Sequence, residues 1–411
     1  MIIINDFEMI EYHPEQNMIS IEAIKKVLVA NKADAWIIVD YENRNPSVVS
    51  FLGQKMLTRK IFLIIPSVGK PYIICHTIDT VFLKEPDVTD RFELKVYRDW
   101  HEMLKLEDQF KAYKTVMMDI SDKGLLPRVS LADYGSVEYV RSLGCKVISS
   151  ADVLQQINAV YSERSFALQQ KANEIALGIK DAAFKEIARL INEKGETDEY
   201  TIQQFISDRY HENGMVYDDA PIVAIGPNAS NPHYGPTKDI HSPIHKGDLV
   251  LIDMWAKIND PDGVYSDITW MGFVGDSVPE IYAKRFSILK NAIDEAVAFL
   301  KRELPKRRVE GWEVDRLVRD YIGKTAYGQY FIHRTGHNIA VDVSPHGPGV
   351  NIDDYESHDE REIVDGVTFS LEPGIYAPDF GERSETNVYI QHRQPLVVAG
   401  RQQEIIPILK K

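Results

Sequence analysis

The sequence predicts an α+β protein of two domains, a smaller N-terminal α/β domain over residues 1–158 and a larger domain of helices and strand hairpins over residues 159–411. Three observations predict it. The chain has 411 residues, too many for one simple core. Up to about residue 158, short apolar runs alternate with helically spaced ones, the pattern of a sheet with helices on it. Beyond that point, long amphipathic stretches accompany two pairs of apolar runs that read as hairpins.

The elements follow in order. Ile21 to Asn31 has helical spacing, and Ala35–Val39 is a short apolar run ending in Asp40 that suits a buried strand. Ile61–Ile65 and Pro71–Cys75 are joined by Pro66-Ser67-Val68-Gly69-Lys70 as a hairpin. Strands near Val116–Ile120 and Lys146–Ile148, with a helix near Ser136–Leu143, complete this domain. Asp40, Asn45 and Asp119 read as loop and cap residues. After a boundary at Asn158–Ser165, one long helix is expected to bury Phe166, Leu168, Ala172, Ile175, Ile179, Ala182 and Ala183. A second helix follows Gly195-Glu196, with Thr197 as its N-cap. A third spans about Ser277–Leu304 behind a Ser277…Glu280 capping box, and a fourth runs from about Trp312 to Gly323. Asp248–Trp255 pairs with Ile268–Val274, and Val367–Glu372 pairs with Glu385–Ile390.

Composition excludes some functions. Hydrophobic content of 44% and charged content of 27% are ordinary for a soluble globular chain. There are 47 basic and 62 acidic residues, a formal charge of −15, so neither nucleic acid nor an anionic membrane surface is an expected partner. No apolar run approaches the ~18 residues needed to span a bilayer. Met1–Asp6 has no basic segment ahead of its short apolar run and is not read as a signal peptide. Cys75 and Cys145 read as two buried reduced thiols, and a cytoplasmic location is expected.

Chemistry concentrates between Asp253 and Glu385. Five residues there can each give an oxygen or nitrogen to a divalent cation: Asp253, Asp267, His337, Glu372 and Glu385. Four of them lie on or beside strands of the two hairpins, and rigid strands suit a metal site. Two divalent cations about 4 Å apart repel each other and need carboxylates between them. Four carboxylates and an imidazole form a hard-to-borderline set, suited to manganese, cobalt, iron or zinc. The absence of thiolate argues against structural zinc. His333 and His337 stand four apart, but Gly336 and the sequence after it do not suit a metalloprotease helix.

Taken together, the frames Leu251-Ile252-Asp253, Ser266-Asp267-Ile268-Thr269, Thr335-Gly336-His337, Leu371-Glu372-Pro373-Gly374 and Arg383-Ser384-Glu385 resemble those of the pita-bread metallopeptidases. The resemblance is to the proline-specific branch, aminopeptidase P and prolidase. It implies a pita-bread catalytic domain from residue 159 and a creatinase/prolidase-like domain before it. It also implies two divalent metal ions per subunit, manganese first among them, a homodimer, and hydrolysis of Xaa-Pro bonds in proline-containing peptides. By resemblance, Asp253, Asp267, His337, Glu372 and Glu385 hold the metals. Glu372 doubles as general base, Arg383 orients this group, His233 contacts the scissile amide, His346 steadies the tetrahedral intermediate and His333 lines the proline pocket. Four departures bear on substrate choice. The interval from Asp253 to Asp267 is long, Trp270 replaces arginine, and Asn338-Ile339-Ala340 replaces a glycine-rich run. Ser344-Pro345 precedes His346, so Ser344 occupies the usual spacing, and His346 is preferred because Pro345 can bulge the chain. A metal-dependent hydrolase of a non-peptide substrate and a non-catalytic binding scaffold are the alternatives. Retention of all five ligands counts against the scaffold and against a metal-free creatinase-like enzyme.

Overall fold

The computed structural model describes residues 20–341 and 344–410; the Met1–Asp6 segment lies outside the described residues. The chain divides into two compact units between Asn158 and Ala159.

The first unit begins with helix α1 (Ile21–Ala30), capped by Ser20. Its strands are β1 (Ala35–Asp40), β2 (Ile61–Pro66), β3 (Tyr72–His76), β4 (Glu93–Tyr97), β5 (Thr115–Met118) and β6 (Lys146–Ser149). They form one sheet in the order β4-β3-β2-β1-β5-β6. Every residue of β1 and β2 is buried, because both faces are covered, and such strands read as unbroken apolar runs. The β2–β3 hairpin pairs Phe62 with Ile74. Asp119 is a buried hub that accepts from Trp36 Nε1 at 2.9 Å, Asn45 Nδ2 at 2.7 Å and Ser150 Oγ. Asn45 also caps the helix Pro46–Leu52. These polar residues serve the fold.

In the second unit, α2 (Glu163–Lys194) starts at Ser162 and stops at Gly195, whose φ of 87° only glycine adopts easily. Its buried face carries Ala172, Ala176, Ile179, Ala183 and Ile187, but also Gln169, Asn173 and Lys180. Helix α3 (Glu199–Glu212) is capped by Asp198, which accepts from Thr201 N at 2.7 Å. Thr197, the expected cap, is instead extended and paired with Ile244. The expected box before α4 (Glu280–Glu303) is also not formed, since Pro279 occupies the N-cap and no side chain bonds there. A reciprocal Glu310/Glu313 box opens α5 (Gly311–Gly323) instead.

The strands β7 (Ile222–Ile225), β8 (Leu249–Ile258) and β9 (Ser266–Phe273) share a sheet with β8 in the middle. The β8–β9 register sets Asp253 opposite Thr269 and Trp255 opposite Asp267. Strand faces alternate, so Asp267 and Thr269 share one face while Ile268 and Trp270 look the other way, into the core that α2 lines. Lys180 Nζ sits 3.8 Å from the Trp270 ring centroid. Trp270 therefore packs against a helix, which corrects the expectation that it bears on substrate choice. The long β8–β9 turn is tied down by Arg164, 2.6 Å from Asp260 and 2.9 Å from Asp262.

The expected second pairing is present as β10 (Thr368–Leu371) against β13 (Thr386–Gln391), with β14 (Gln394–Val397) beyond it. Between them lies a hairpin the sequence reading omitted, β11 (Gly374–Ala377) against β12 (Phe380–Arg383). Among the described residues, no helix is long and apolar enough to cross a membrane.

Candidate metal centre

Two clamps bring the carboxylates together. Asn387 on β13 accepts from Asp267 N at 3.1 Å and donates back to Asp267 O at 2.7 Å. Glu385 N donates to Thr269 O at 3.2 Å. Strands β9 and β13 are thereby locked edge to edge, with Asp267 and Glu385 side by side. A second set fixes the histidine. His337 N donates to Ser370 Oγ, and Ser370 N to His337 O, both at 2.9 Å. Glu372 N donates to Thr335 O at 2.8 Å. Gly336 is required there, because a Cβ would stand 1.9 Å from Ser370 O.

Ligand atoms of Asp267, His337 and Glu385, all buried, lie within 4.8 Å of one another. His337 Nε2 is 3.5 Å from Asp267 Oδ2 and 3.4 Å from Glu372 Oε1, and its Nδ1 is 3.0 Å from Asn338 O. Asp253 adjoins through Thr269, whose hydroxyl is 3.0 Å from Asp253 Oδ1 and 2.8 Å from Glu385 Oε2. Arg383 binds the rim of this group. Its Nε donates to Thr269 Oγ1 at 2.8 Å, its Nη1 to Tyr376 OH at 3.0 Å, and its Nη2 pairs with Asp253.

Burial pushes Asp267 and Glu385 well above the usual carboxylate range; neighbouring carboxylates add to the shift and Arg383 opposes it. Burial likewise raises Glu372 to about 7, against the pull of Arg383 and Arg334. So much negative charge packed in low dielectric calls for added positive charge. The oxygen-rich donor set with one imidazole fits divalent cations and suits no soft-metal site.

The histidines divide. His333 is wired at both ring nitrogens, Nε2 to Tyr376 OH at 2.8 Å and Nδ1 to Arg334 O at 2.6 Å. Tyr376 accepts from Arg383, so its own proton goes to Nε2 and the His333 proton sits on Nδ1. Burial lowers His333 to about 3, leaving a neutral ring. The His346 ring lies 3.9 Å from that of His337, and His233 is exposed. Both line the same cavity of about 690 Å³ as Asp253, Asp267, His337, Glu372, Arg383 and Glu385. Ser344 and Pro345 line it too. Asn338 has a packing use: its side chain bonds Thr368 O and Gly349 N, filling space beside Gly347 and Gly349.

Sequence reasoning missed Thr269, Ser370, Tyr376 and Asn387. Thr269 stands inside the Ser266–Thr269 frame, but nothing in that frame shows that its hydroxyl bridges two ligands.

A family model described as metallopeptidase family M24 matches residues 171–392. An Xaa-Pro dipeptidase of Lactobacillus helveticus is 36% identical over 165 residues, 39% of this chain and 38% of that protein. The match thus spans well under two thirds of that relative. An Xaa-Pro dipeptidase of Pyrococcus horikoshii is 26% identical over 370 residues, 88% of this chain and 91% of its own. The solved dipeptidase PepE from Mycobacterium ulcerans superposes with a TM-score of 0.59 at 23% identity, covering 94% of this chain and 96% of that one.

Proposed function

The chain belongs to metallopeptidase family M24, with that family's pita-bread fold, and we propose that it hydrolyses the Xaa-Pro bond of proline-containing peptides. One observation carries the reading. All four carboxylates and His337 converge in a cavity large enough for a short peptide, with Arg383 as their buried counter-charge. The Xaa-Pro dipeptidases among its relatives support the substrate class.

Asp253, Asp267, His337, Glu372 and Glu385 would hold two divalent cations, manganese being our choice among the metals the donor set suits. When bound, such ions lower the pKa of water and polarise a scissile carbonyl. The residues do the rest. Glu372 is held by Ser370 Oγ at 3.0 Å and is placed to take a proton and pass it to the leaving proline nitrogen. Arg383 holds Asp253 and, through Tyr376, orients His333. With both its ring nitrogens engaged, His333 offers the substrate a wall and no proton. His346 and His233 both line the cavity and can donate to an oxyanion. An Xaa-Pro bond has no N–H to grip, so a site that works by polarising the carbonyl suits it. Cytoplasmic residence and a homodimer complete the reading; the buried free thiols Cys75 and Cys145 accord with the former.

The non-peptide alternative loses its motive, since Trp270 packs against α2 and the long turn is anchored by Arg164. The test is Ala-Pro hydrolysis by chelator-stripped protein, before and after manganese, cobalt or zinc, with Asp267→Asn alongside. Cleavage restored by metal and absent in the variant is expected. Metal binding without cleavage under any of these metals would sink the proposal.

A further inference from the structure

We infer that Glu199 is the positioning residue for His233: its carboxylate holds the loop that carries this histidine into the cavity. The inference rests on the Xaa-Pro reading above, in which His233 donates to the oxyanion, and adds the group that keeps it in place.

The placement of His233 depends on its loop. Its ring makes no hydrogen bond to any described residue, and the chain on which it stands leaves β7 after Ile225 and returns at Ser242. The stretch from Pro232 to Thr237 lines the cavity. Asn231 shapes the turn, accepting from His233 N on Oδ1 and from Tyr234 N on its carbonyl, both at 3.0 Å. Those bonds are internal to the loop and do not join it to the body of the protein.

Glu199 makes that join. It opens α3 and is 0% exposed. Its Oε1 accepts from Ile225 N at 2.9 Å and its Oε2 from Ser242 N at 2.7 Å. Asn228 Nδ2 donates to both oxygens, at 3.1 and 3.0 Å, and the Tyr234 hydroxyl donates to Oε2 at 2.6 Å. Glu199 N returns a bond to Ser242 O at 3.1 Å. One carboxylate thus grips the loop at its start, at its end and next to His233. These donors fill its acceptor sites, which leaves none for substrate, so Glu199 acts on the reaction through the loop. Ser230 Oγ also ties the loop, to Ala377 O, but ahead of His233. Bonds to a charged acceptor are the stronger ones, and a donor to an oxyanion has to be in place before the charge develops.

The experiment is a double-mutant cycle on the metal-loaded full chain with Ala-Pro as substrate. Tyr234→Phe removes one tether and Glu199→Gln weakens them all; each is made in the parent and in His233→Ala. His233→Ala alone is expected to lower kcat about 100-fold, as loss of one oxyanion donor does. In the parent, Tyr234→Phe and Glu199→Gln should each lower kcat by about 10- to 100-fold, the range for a misplaced group, with KM little changed. Once His233 is gone, either should cost at most about twofold more. An equal loss in both backgrounds would mean a merely structural carboxylate and overturn the inference. Histidine-ring NMR of chelator-stripped protein gives a readout apart from turnover. The His233 signal, assigned by its absence in His233→Ala, should move in Glu199→Gln while those of His337 and His346 keep their places; a His233 signal that stays put overturns the inference. Should Glu199→Gln fail to fold, the Tyr234→Phe cycle decides. A parent that cleaves Ala-Pro and loses nothing in His233→Ala overturns the inference alone. One that cleaves nothing overturns the proline-peptidase reading beneath it, and the NMR comparison then decides whether Glu199 places His233.

Discussion

Thr269→Val keeps the shape of a β9 side chain and removes one hydroxyl. That hydroxyl is fully buried. It accepts from Arg383 Nε at 2.8 Å and has Asp253 Oδ1 at 3.0 Å and Glu385 Oε2 at 2.8 Å for its single proton. The variant strands a guanidinium N–H and a carboxylate oxygen away from water. Each lost bond to a charged group costs about 1.5–3 kcal/mol. Arg383 keeps its contacts to Asp253 and Tyr376, so the lower end applies to both, about 3 kcal/mol together. At ~2–4 °C per kcal/mol for a unit of this size, the melting temperature falls by roughly 6–12 °C. Calorimetry of chelator-stripped protein measures it, with Thr269→Ser, which keeps the hydroxyl, as the control. A manganese titration reads the second consequence. Loosening two ligands at once is expected to weaken affinity by about 10- to 100-fold. A valine variant melting within about 1 °C of the parent, as a neutral surface change would, and binding manganese equally well would refute the reasoning.

Two further outcomes follow from buried charge. Arg285 Nε donates to the fully buried Glu382 at 2.7 Å, so Arg285→Met leaves a lone carboxylate. Burial raises Glu382 to about 7 against the pull of Arg285, so losing the arginine pushes it higher still; in alkaline buffer above that raised value, denaturation should show a loss of about 3–5 kcal/mol, which shrinks as the pH falls and the carboxyl takes up a proton. The double variant with Glu382→Leu should recover most of it, and a single variant as stable as the parent would contradict this. In the first unit, burial pushes Glu107 up to about 7, with Lys60 opposing. The folded state holds that proton more tightly than the unfolded one, so the favourable contribution is complete below the unfolded value and lost as pH rises to about 7. Relative to Glu107→Gln, the parent should lose melting temperature between pH 4.5 and 7 and then level off; a relative gain over that window would reverse the assignment.

Much of the site was legible because its chemistry sits in contiguous frames. Asp253, Asp267, His337, Glu372 and Glu385 could be picked from their neighbours. The strand period carried a further signal that went unused. Trp270 lies three residues from Asp267, and in a strand this places it on the opposite face. Other features depend on partners far away in sequence. The Asn387–Asp267 clamp joins residues 120 apart, and the link from Tyr376 to His333 spans 43; no local pattern encodes either. Local rules misled where a neighbour competed. Thr197 has a capping residue's chemistry but is held in a strand by Ile244. Ser277…Glu280 has the spacing of a capping box, but Pro279 rather than Ser277 stands at the helix start. The β11–β12 hairpin escaped notice because Pro373-Gly374 read as the end of a ligand frame rather than the start of a strand.

The β8–β9 register has a consequence for how the chain assembles. A slip of one residue turns every side chain of a strand to the other face. For β9 that would drive Asp267 into the Phe184–Ile187 side of the core, where no cation could follow it. An ionised carboxylate there costs several kcal/mol, so a mis-zipped hairpin is heavily penalised as soon as α2 settles on it. The acidic residues thus act as proofreaders during folding: the charges needed for chemistry in the finished protein also reject the nearest wrong alignment while it is being made.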